Sequence, residues 1–189
     1  TIIIIGIESA GPLVRPSGTV ATVIAPDTQS QRVVLVHGPT LELIDTADLD
    51  TVPGARYDIN LARSDPAGRN VLVTDSGNFQ SVLFSFDRDT PSFFPGLALA
   101  VDDSIVVTAQ NVGTNANINV FDHKGEPGIS TQTASIRAGM IAGGNVILIG
   151  VEGEVLSLSI ASGEVTTLDS LSVGTVQSGN VAPRGDRLI

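Results

Sequence analysis

In Ser64-Asp65-Pro66-Ala67-Gly68-Arg69-Asn70-Val71-Leu72-Val73, a polar segment leads into a short run of aliphatic residues. Asp, Pro and Gly favour tight turns, because proline fixes φ and the other two tolerate left-handed backbone conformations. The apolar run has the length and composition of a β-strand. Asp58-Ile59-Asn60-Leu61 stands before the turn, so the whole segment predicts an antiparallel hairpin.

The same arrangement recurs along the chain. Apolar runs begin at Val33, Val71, Ile105 and Val146, which are 38, 34 and 41 residues apart. An apolar segment and a turn come before each run. A segment in which apolar and polar residues alternate comes after it. Weaker fourth strands are expected at residues 51–52, 128–130 and 164–168. No segment keeps an apolar stripe of helical period over about 11 residues, so the sequence predicts an all-β chain of repeated antiparallel units.

The repeated unit resembles one blade of a β-propeller. Residues 25–27 with 32–36, 64–73 and 182–189 are similar to the turn-and-strand hairpin of bacterial propellers of the YVTN and quinoprotein-like kind. Residues 43–47 and 120–125 are similar to the third strand and following turn of those blades. The resemblance implies a β-propeller of four-stranded antiparallel blades, with about four and a half blades present. The Trp-Asp pair of WD40 repeats is absent, since the chain has no Trp.

The repeat also predicts the domain organisation. Residues 1–17 are expected to form an N-terminal strand and linker from a preceding blade or from ring closure. Blades are expected at residues 18–54, 55–92, 93–134 and 135–172, with a partial blade at 173–189. An open ring exposes strand edges and apolar blade faces. Three explanations therefore stay open: a fragment of a longer protein, two chains that complete one ring, or an open all-β domain.

Composition excludes several classes of function. The 189 residues include 20 Asp and Glu against 10 Lys and Arg, a formal net charge of −10, which leaves little to build a basic surface for nucleic acid. The absence of Cys excludes disulfides, thiolate nucleophiles and Cys-based zinc sites. The longest wholly aliphatic run, Ile2 to Ile5, is far shorter than the roughly 20 residues of a membrane-spanning helix, so no transmembrane segment is expected.

Candidate binding residues stand where the second apolar run of each unit leads to the third. His37, Asp75, Gln110 with Asn111, and Glu152 take this position in successive units. Because equivalent connections gather at one end of a propeller, these side chains are expected along one rim. There they either line a ligand site or are ordinary solvated loop residues.

Other polar and aromatic groups also have two interpretations. His123 is expected to be exposed and inert, and Asp102-Asp103 is expected in a hairpin turn. The stretch 111–117 is either a recognition loop or an ordinary turn, and Phe93 and Phe94 either anchor a partner or pack between units. No catalytic residue, metal site or cofactor is predicted.

These features predict a non-catalytic scaffold in the bacterial envelope, in the periplasm or at the cell surface. It would bind a protein partner, a second copy of the chain or a ligand, and no nucleic acid. The alternative is a propeller enzyme, such as a hydrolase, lyase or oxidoreductase, whose site lies partly outside this chain. A second alternative is a periplasmic metal-binding propeller, because residues 65–77 are similar to periplasmic zinc metallochaperones; His37 would then act with nearby acids.

Overall fold

The structure, a computed structural model, describes residues 21–26, 31–37, 42–48, 53–65 and 69–170. Every regular element in these ranges is a β-strand, which confirms the all-β prediction. The same ranges contain no helix long and apolar enough to cross a membrane. The chain divides into two compact units, Thr1–Ala98 and Leu99–Ile189.

The first unit contains two antiparallel sheets. One holds β1 (Ala21–Pro26), β2 (Gln31–His37) and β3 (Glu42–Asp48), in that spatial order. The other holds β4 (Tyr57–Ser64), β5 (Asn70–Asp75), β6 (Gln80–Ser85) and β7 (Ser92–Pro95), also in chain order. Because strands that are adjacent in sequence are adjacent in space, each sheet is a meander of hairpins.

The second unit contains two four-stranded meanders, the first of which starts at the junction of the units. The strands of the first are β8 (Leu97–Val101), β9 (Ile105–Val112), β10 (Asn115–Asp122) and β11 (Pro127–Ala134). Those of the second are β12 (Ile136–Ala142), β13 (Asn145–Gly150), β14 (Glu154–Ser159) and β15 (Val165–Ser170). Three of the four described sheets thus have the four antiparallel strands that the repeat predicts.

Aspartate side chains close the first hairpin of two sheets. Asp65, which is buried, accepts hydrogen bonds from the backbone N–H of Arg69 at 2.8 Å and from the side chain of Asn70 at 2.9 Å. Asp102 accepts the backbone N–H groups of Ser104 and Ile105, both at 2.7 Å. The hairpin-turn interpretation of Asp102 is therefore correct, and its carboxylate accepts hydrogen bonds from the backbone of its own turn.

Each unit has its own apolar core. In the first, Val71, Val73, Val82 and Phe84 form a buried cluster, and Tyr57 meets Phe84 edge-on with ring centroids 6.0 Å apart. In the second, one continuous cluster takes residues from both sheets. Its members include Val107, Ile118, Val146, Leu148 and Leu158. The central apolar runs of the sequence are therefore the inner strands of packed sheets.

Two elements differ from what the sequence pattern predicts. The fourth strand of the second sheet is Ser92–Pro95, which the pattern does not predict because it is short, follows Pro91 and ends at Pro95. It extends beyond residue 92, where a blade boundary was expected. The stretch 111–117 is not a loop: β9 and β10 continue to a two-residue turn at Gly113 and Thr114. The expected segments 1–17 and 173–189 lie outside the described residues.

Candidate functional site

The five residues expected at one rim all lie at the same end of their own sheets. This end holds the turn between the second and third strands, called the rim turn below. His37 is the last residue of β2 and Asp75 the last of β5, while Gln110 and Asn111 lie close to the end of β9. Glu152 lies within the turn between β13 and β14. His37 and Asp75 belong to the first unit, and the other three belong to the second.

Asp75 organises the rim turn of the second sheet. Its Oδ1 accepts the backbone N–H groups of Arg56 at 2.8 Å, Gly77 at 3.0 Å and Asn78 at 3.3 Å. Its Oδ2 accepts the side-chain amides of Asn78 at 2.7 Å and Gln80 at 3.2 Å. The carboxylate thus joins the rim turn to the segment that leads into β4.

The electrostatics of Asp75 are those of a structural carboxylate. Asp75 has no solvent-exposed surface. Burial by itself raises the pKa of Asp75, but the hydrogen bonds from Arg56, Asn78 and Gln80 outweigh it and hold the pKa below its ordinary value. Both carboxylate oxygens accept hydrogen bonds from the protein, so the role of Asp75 at this end of the sheet is to hold the rim turn in place.

The rim turn held by Asp75 carries a solvent-exposed aromatic side chain. Phe79 is 84% exposed and has φ 54°, in the left-handed region that large side chains rarely adopt. Ser76 donates its backbone N–H to Arg56 O at 2.8 Å, and the turn lies so close to Gly54 that a Cβ at Gly77 would be 2.5 Å from the Gly54 carbonyl oxygen. The Phe79 ring therefore projects from a tightly held backbone.

In the second unit, Ser135 connects two rim turns. Its backbone N–H donates to Thr114 O at 3.0 Å, and its carbonyl accepts the N–H of Val151 at 2.9 Å. Beside it, Asn111 donates to Ile136 O at 3.3 Å and accepts the Ile136 N–H at 3.2 Å. The structure therefore brings together the rim turns that carry Asn111 and Glu152.

The exposed side chains at the rim turns of the second unit, called the second rim, differ in chemical character. Gln110 and Glu152 are exposed, and Val112, which the sequence analysis did not single out, is 67% exposed. Glu154 folds its side chain over Gly150 and buries Oε2, which has no hydrogen-bond partner among the described residues. This rim thus exposes apolar, amide and acidic groups to solvent.

Metal binding has no support in the described part of the chain. Residues 53–65 and 69–170 contain no group of three or more His, Asp or Glu side chains that could hold a metal ion. The metal hypothesis depends on His37, for which the structure describes the backbone and not the side chain. His123, expected to be inert, makes a 3.0 Å contact from Nε2 to the carbonyl of Asp102 and thereby connects two turns of its sheet.

The aromatic residues divide differently from the expectation. Phe94 is buried, which confirms the packing interpretation for that residue, while Phe93 is 49% exposed on β7. The most exposed aromatic, Phe79, was missed by the sequence analysis. Its signal was present in Ser76-Gly77-Asn78-Phe79, where a large apolar residue occupies a segment otherwise suited to a turn.

Comparisons with known proteins define the class. No family model matches the chain, and no curated protein sequence matches it. Its structure is similar to dihydro-heme d1 dehydrogenase NirN in complex with DHE, with TM-score 0.58 and 17% identity over 93% of this chain and 39% of that one. It is similar to the Pan2 WD40 domain of Neurospora crassa, with TM-score 0.56 and 12% identity over 87% and 56%. TolB from Acinetobacter baumannii gives TM-score 0.56 and 13% identity over 91% and 46%.

At these identities the likeness shows the fold alone. Together with the four-stranded antiparallel sheets, it shows the blades of a β-propeller and confirms the fold predicted from the repeat. The chain spans between 39% and 56% of the length of these three structures, which fits an incomplete propeller. No particular family within the class is identified.

Proposed function

We propose that the chain is a non-catalytic propeller scaffold that binds a protein partner, with Phe79 as an anchor of the contact. The observation that carries the proposal is the 84% exposure of Phe79 on a turn held by the buried Asp75. Aromatic side chains dominate the binding energy of many protein interfaces, especially where the backbone is held in place before binding.

The conformation of Phe79 supports a role outside folding. A side chain in the left-handed region costs about 1–2 kcal/mol, and an exposed ring recovers none of this by packing. Asn and Gly are the residues that a turn of this kind favours. The presence of Phe at this position therefore favours a contact with something outside the chain.

The remaining rim residues enter the proposal with different roles. Exposed Gln110 and Glu152 would contact a protein partner at the rim of the second unit. Asn111 would hold the backbone of that rim in place through its hydrogen bonds with Ile136. Asp75 would act as a positioning residue. Location outside the cytoplasm belongs to the same proposal, and it is supported by the similarity of the repeat to bacterial propellers.

Site-specific photo-crosslinking tests the proposal. Phe79 is replaced by the photoreactive analogue benzoylphenylalanine, and the protein is irradiated in cells of its native source. Position 93 is the matched control, because Phe93 is also exposed, at 49%, on the outer strand of the same sheet. We expect a discrete protein adduct from position 79 and none from position 93.

A second measurement ties the adduct to the geometry. Asp75→Asn should weaken the adduct at position 79, because it releases the turn. Equal labelling from positions 79 and 93, or labelling from neither, would contradict the proposal. Fractionation of the same cells checks the location, and a purely cytoplasmic protein would contradict that part alone.

A further inference from the structure

Strand β10 contains a pattern that its fold does not require. Asn occupies positions 115, 117 and 119, every second residue of a strand that pairs with β9 on one side and β11 on the other. Asn is depleted in β-strands, and it adds no apolar area to a sheet. Violations of local preference that bring no structural gain are expected mainly at functional positions.

The register places these residues in rows with other polar side chains. Asn117 lies opposite Gln110 on β9 and opposite Gln132 on β11. Asn119 lies opposite Ser130. Directly paired residues share one face of a sheet, with Cβ atoms about 4.5–5.5 Å apart. The amide face, defined here, consists of Gln110, Asn115, Asn117, Asn119, Ser130 and Gln132.

The two faces of β10 differ completely. Ala116, Ile118 and Val120, which alternate with the Asn residues, belong to the apolar core of the second unit. On the amide face, Gln110, Asn115, Ser130 and Gln132 are exposed, and Asn117 and Asn119 are half-buried. None of the six carries a charge, although the whole chain has a formal charge of −10.

The hydrogen-bonding capacity of this face is largely unused. Ser130 Oγ donates to Asn119 Oδ1 at 2.9 Å. The carboxamides of Gln110, Asn117 and Gln132 make no hydrogen bond to any residue that the structure describes. Each carboxamide has two donor hydrogens and an acceptor oxygen in one plane. The row across three strands therefore offers repeated donor–acceptor pairs.

We propose that the amide face is a binding site for a neutral oligosaccharide, separate from Phe79 and sharing only Gln110 with the rim contacts proposed above. Vicinal hydroxyls both donate and accept, so they match carboxamides, whereas a charged ligand would find no opposite charge here. Neighbouring strands are about 4.7–4.9 Å apart, comparable with the width of one sugar ring. Phe121, half-buried, continues the face beyond Asn119 and supplies the apolar contact that ligand sites usually combine with polar groups.

Nuclear magnetic resonance of the intact chain tests the site. Cellotetraose and maltotetraose are the probes, and the side-chain NH₂ signals of Gln110, Asn117 and Gln132 are followed. We expect at least one probe to give saturable shifts in all three, with a dissociation constant on the order of 1 mM. Asn117→Val should weaken binding at least about tenfold while it raises Tm, because Val suits a strand better than Asn does.

The matched control is Thr131→Val, which lies on the same strand as Gln132 but on the opposite face, paired with Ile118. Its binding should equal that of the wild type. The proposal is overturned if neither sugar shifts these signals or if Asn117→Val binds as well as the control. It is also overturned if the neutral peptide Ac-Gln-Gln-Gln-NH₂ shifts them more strongly than the sugars. None of these results bears on photo-crosslinking at Phe79.

Discussion

The rim turns after β5 and β13 place their carboxylates at different positions. Asp75 ends β5 and pairs with Gln80, and its oxygens accept five hydrogen bonds. In the last sheet, Gly150 ends β13 and Glu154 starts β14, with one Glu154 oxygen buried and unpartnered among the described residues. At this end of the sheet, the carboxylate of Asp75 has hydrogen bonds to both oxygens, whereas that of Glu154 has one buried oxygen without a described partner.

The pH dependence of stability should report on Asp75. Its pKa is lowered on folding, so its contribution is present above the unfolded value near 3.9 and is lost as the pH falls through the lower folded value. Asp75→Asn places amide hydrogens against the donors of Asn78 and Gln80 and should cost about 1–3 kcal/mol at pH 7. Urea unfolding at pH 7, 5, 4 and 3 measures the difference, which should shrink below about pH 4. A difference that is constant with pH would contradict this account.

The backbone strain at Phe79 is testable by stability alone. Phe79→Gly removes both the left-handed strain and the exposed ring, so it should raise the free energy of unfolding by up to about 1 kcal/mol. Phe79→Asn, a residue that tolerates this conformation, should give a smaller gain of the same sign. Thermal unfolding followed by circular dichroism measures both. Destabilisation by either substitution would mean that the ring packs against the protein.

Among the strands, those whose residues face an apolar core are the ones that the sequence pattern predicts. Val71 to Thr74 and Val146 to Ile149 stand out because inner strands bury both faces or most of them. Strand β7 has only four residues, follows Pro91 and ends at Pro95, so the local pattern carries too little information to predict it. The small polar residues of 111–117 predict a connection between strands, but cross-strand pairing of β9 with β10 overrides that local pattern.

The rim turns of two sheets should respond to different degrees to the same substitution of Gly by Ala. Gly77→Ala directs a Cβ to within 2.5 Å of the Gly54 backbone carbonyl oxygen, which cannot move without shifting the turn. It should cost about 1–3 kcal/mol. Gly150→Ala directs its Cβ to 2.1 Å from Glu154 Oε2, the end of a flexible side chain, which can swing into water. Its effect should stay within about 0.5 kcal/mol. Chemical denaturation compares the two, and equal costs would contradict the packing described.

At the scale of the whole molecule, the repeat was the information that the sequence carried best. Apolar runs at intervals of 34 to 41 residues predicted the repeated four-stranded sheets without any single decisive motif. The candidate site was less predictable. Position at the rim follows from the repeat, but whether Asp75 is available to a ligand depends on Arg56 and Gly77, whose contacts arise only in the folded chain.

The net charge of −10 should make the stability of the whole chain depend on salt, because unbalanced acids repel one another in the compact state. Raising NaCl from about 0.01 M to about 0.1 M shortens the screening length from ~30 to ~10 Å, so Tm should rise. The exposed pair of Arg69 and Asp87 is screened as well, but such a surface pair contributes little. Replacing two exposed acids, Glu126→Gln with Glu164→Gln, should reduce the rise. A fall in Tm with salt would show that attraction between specific charges outweighs the repulsion that the composition predicts.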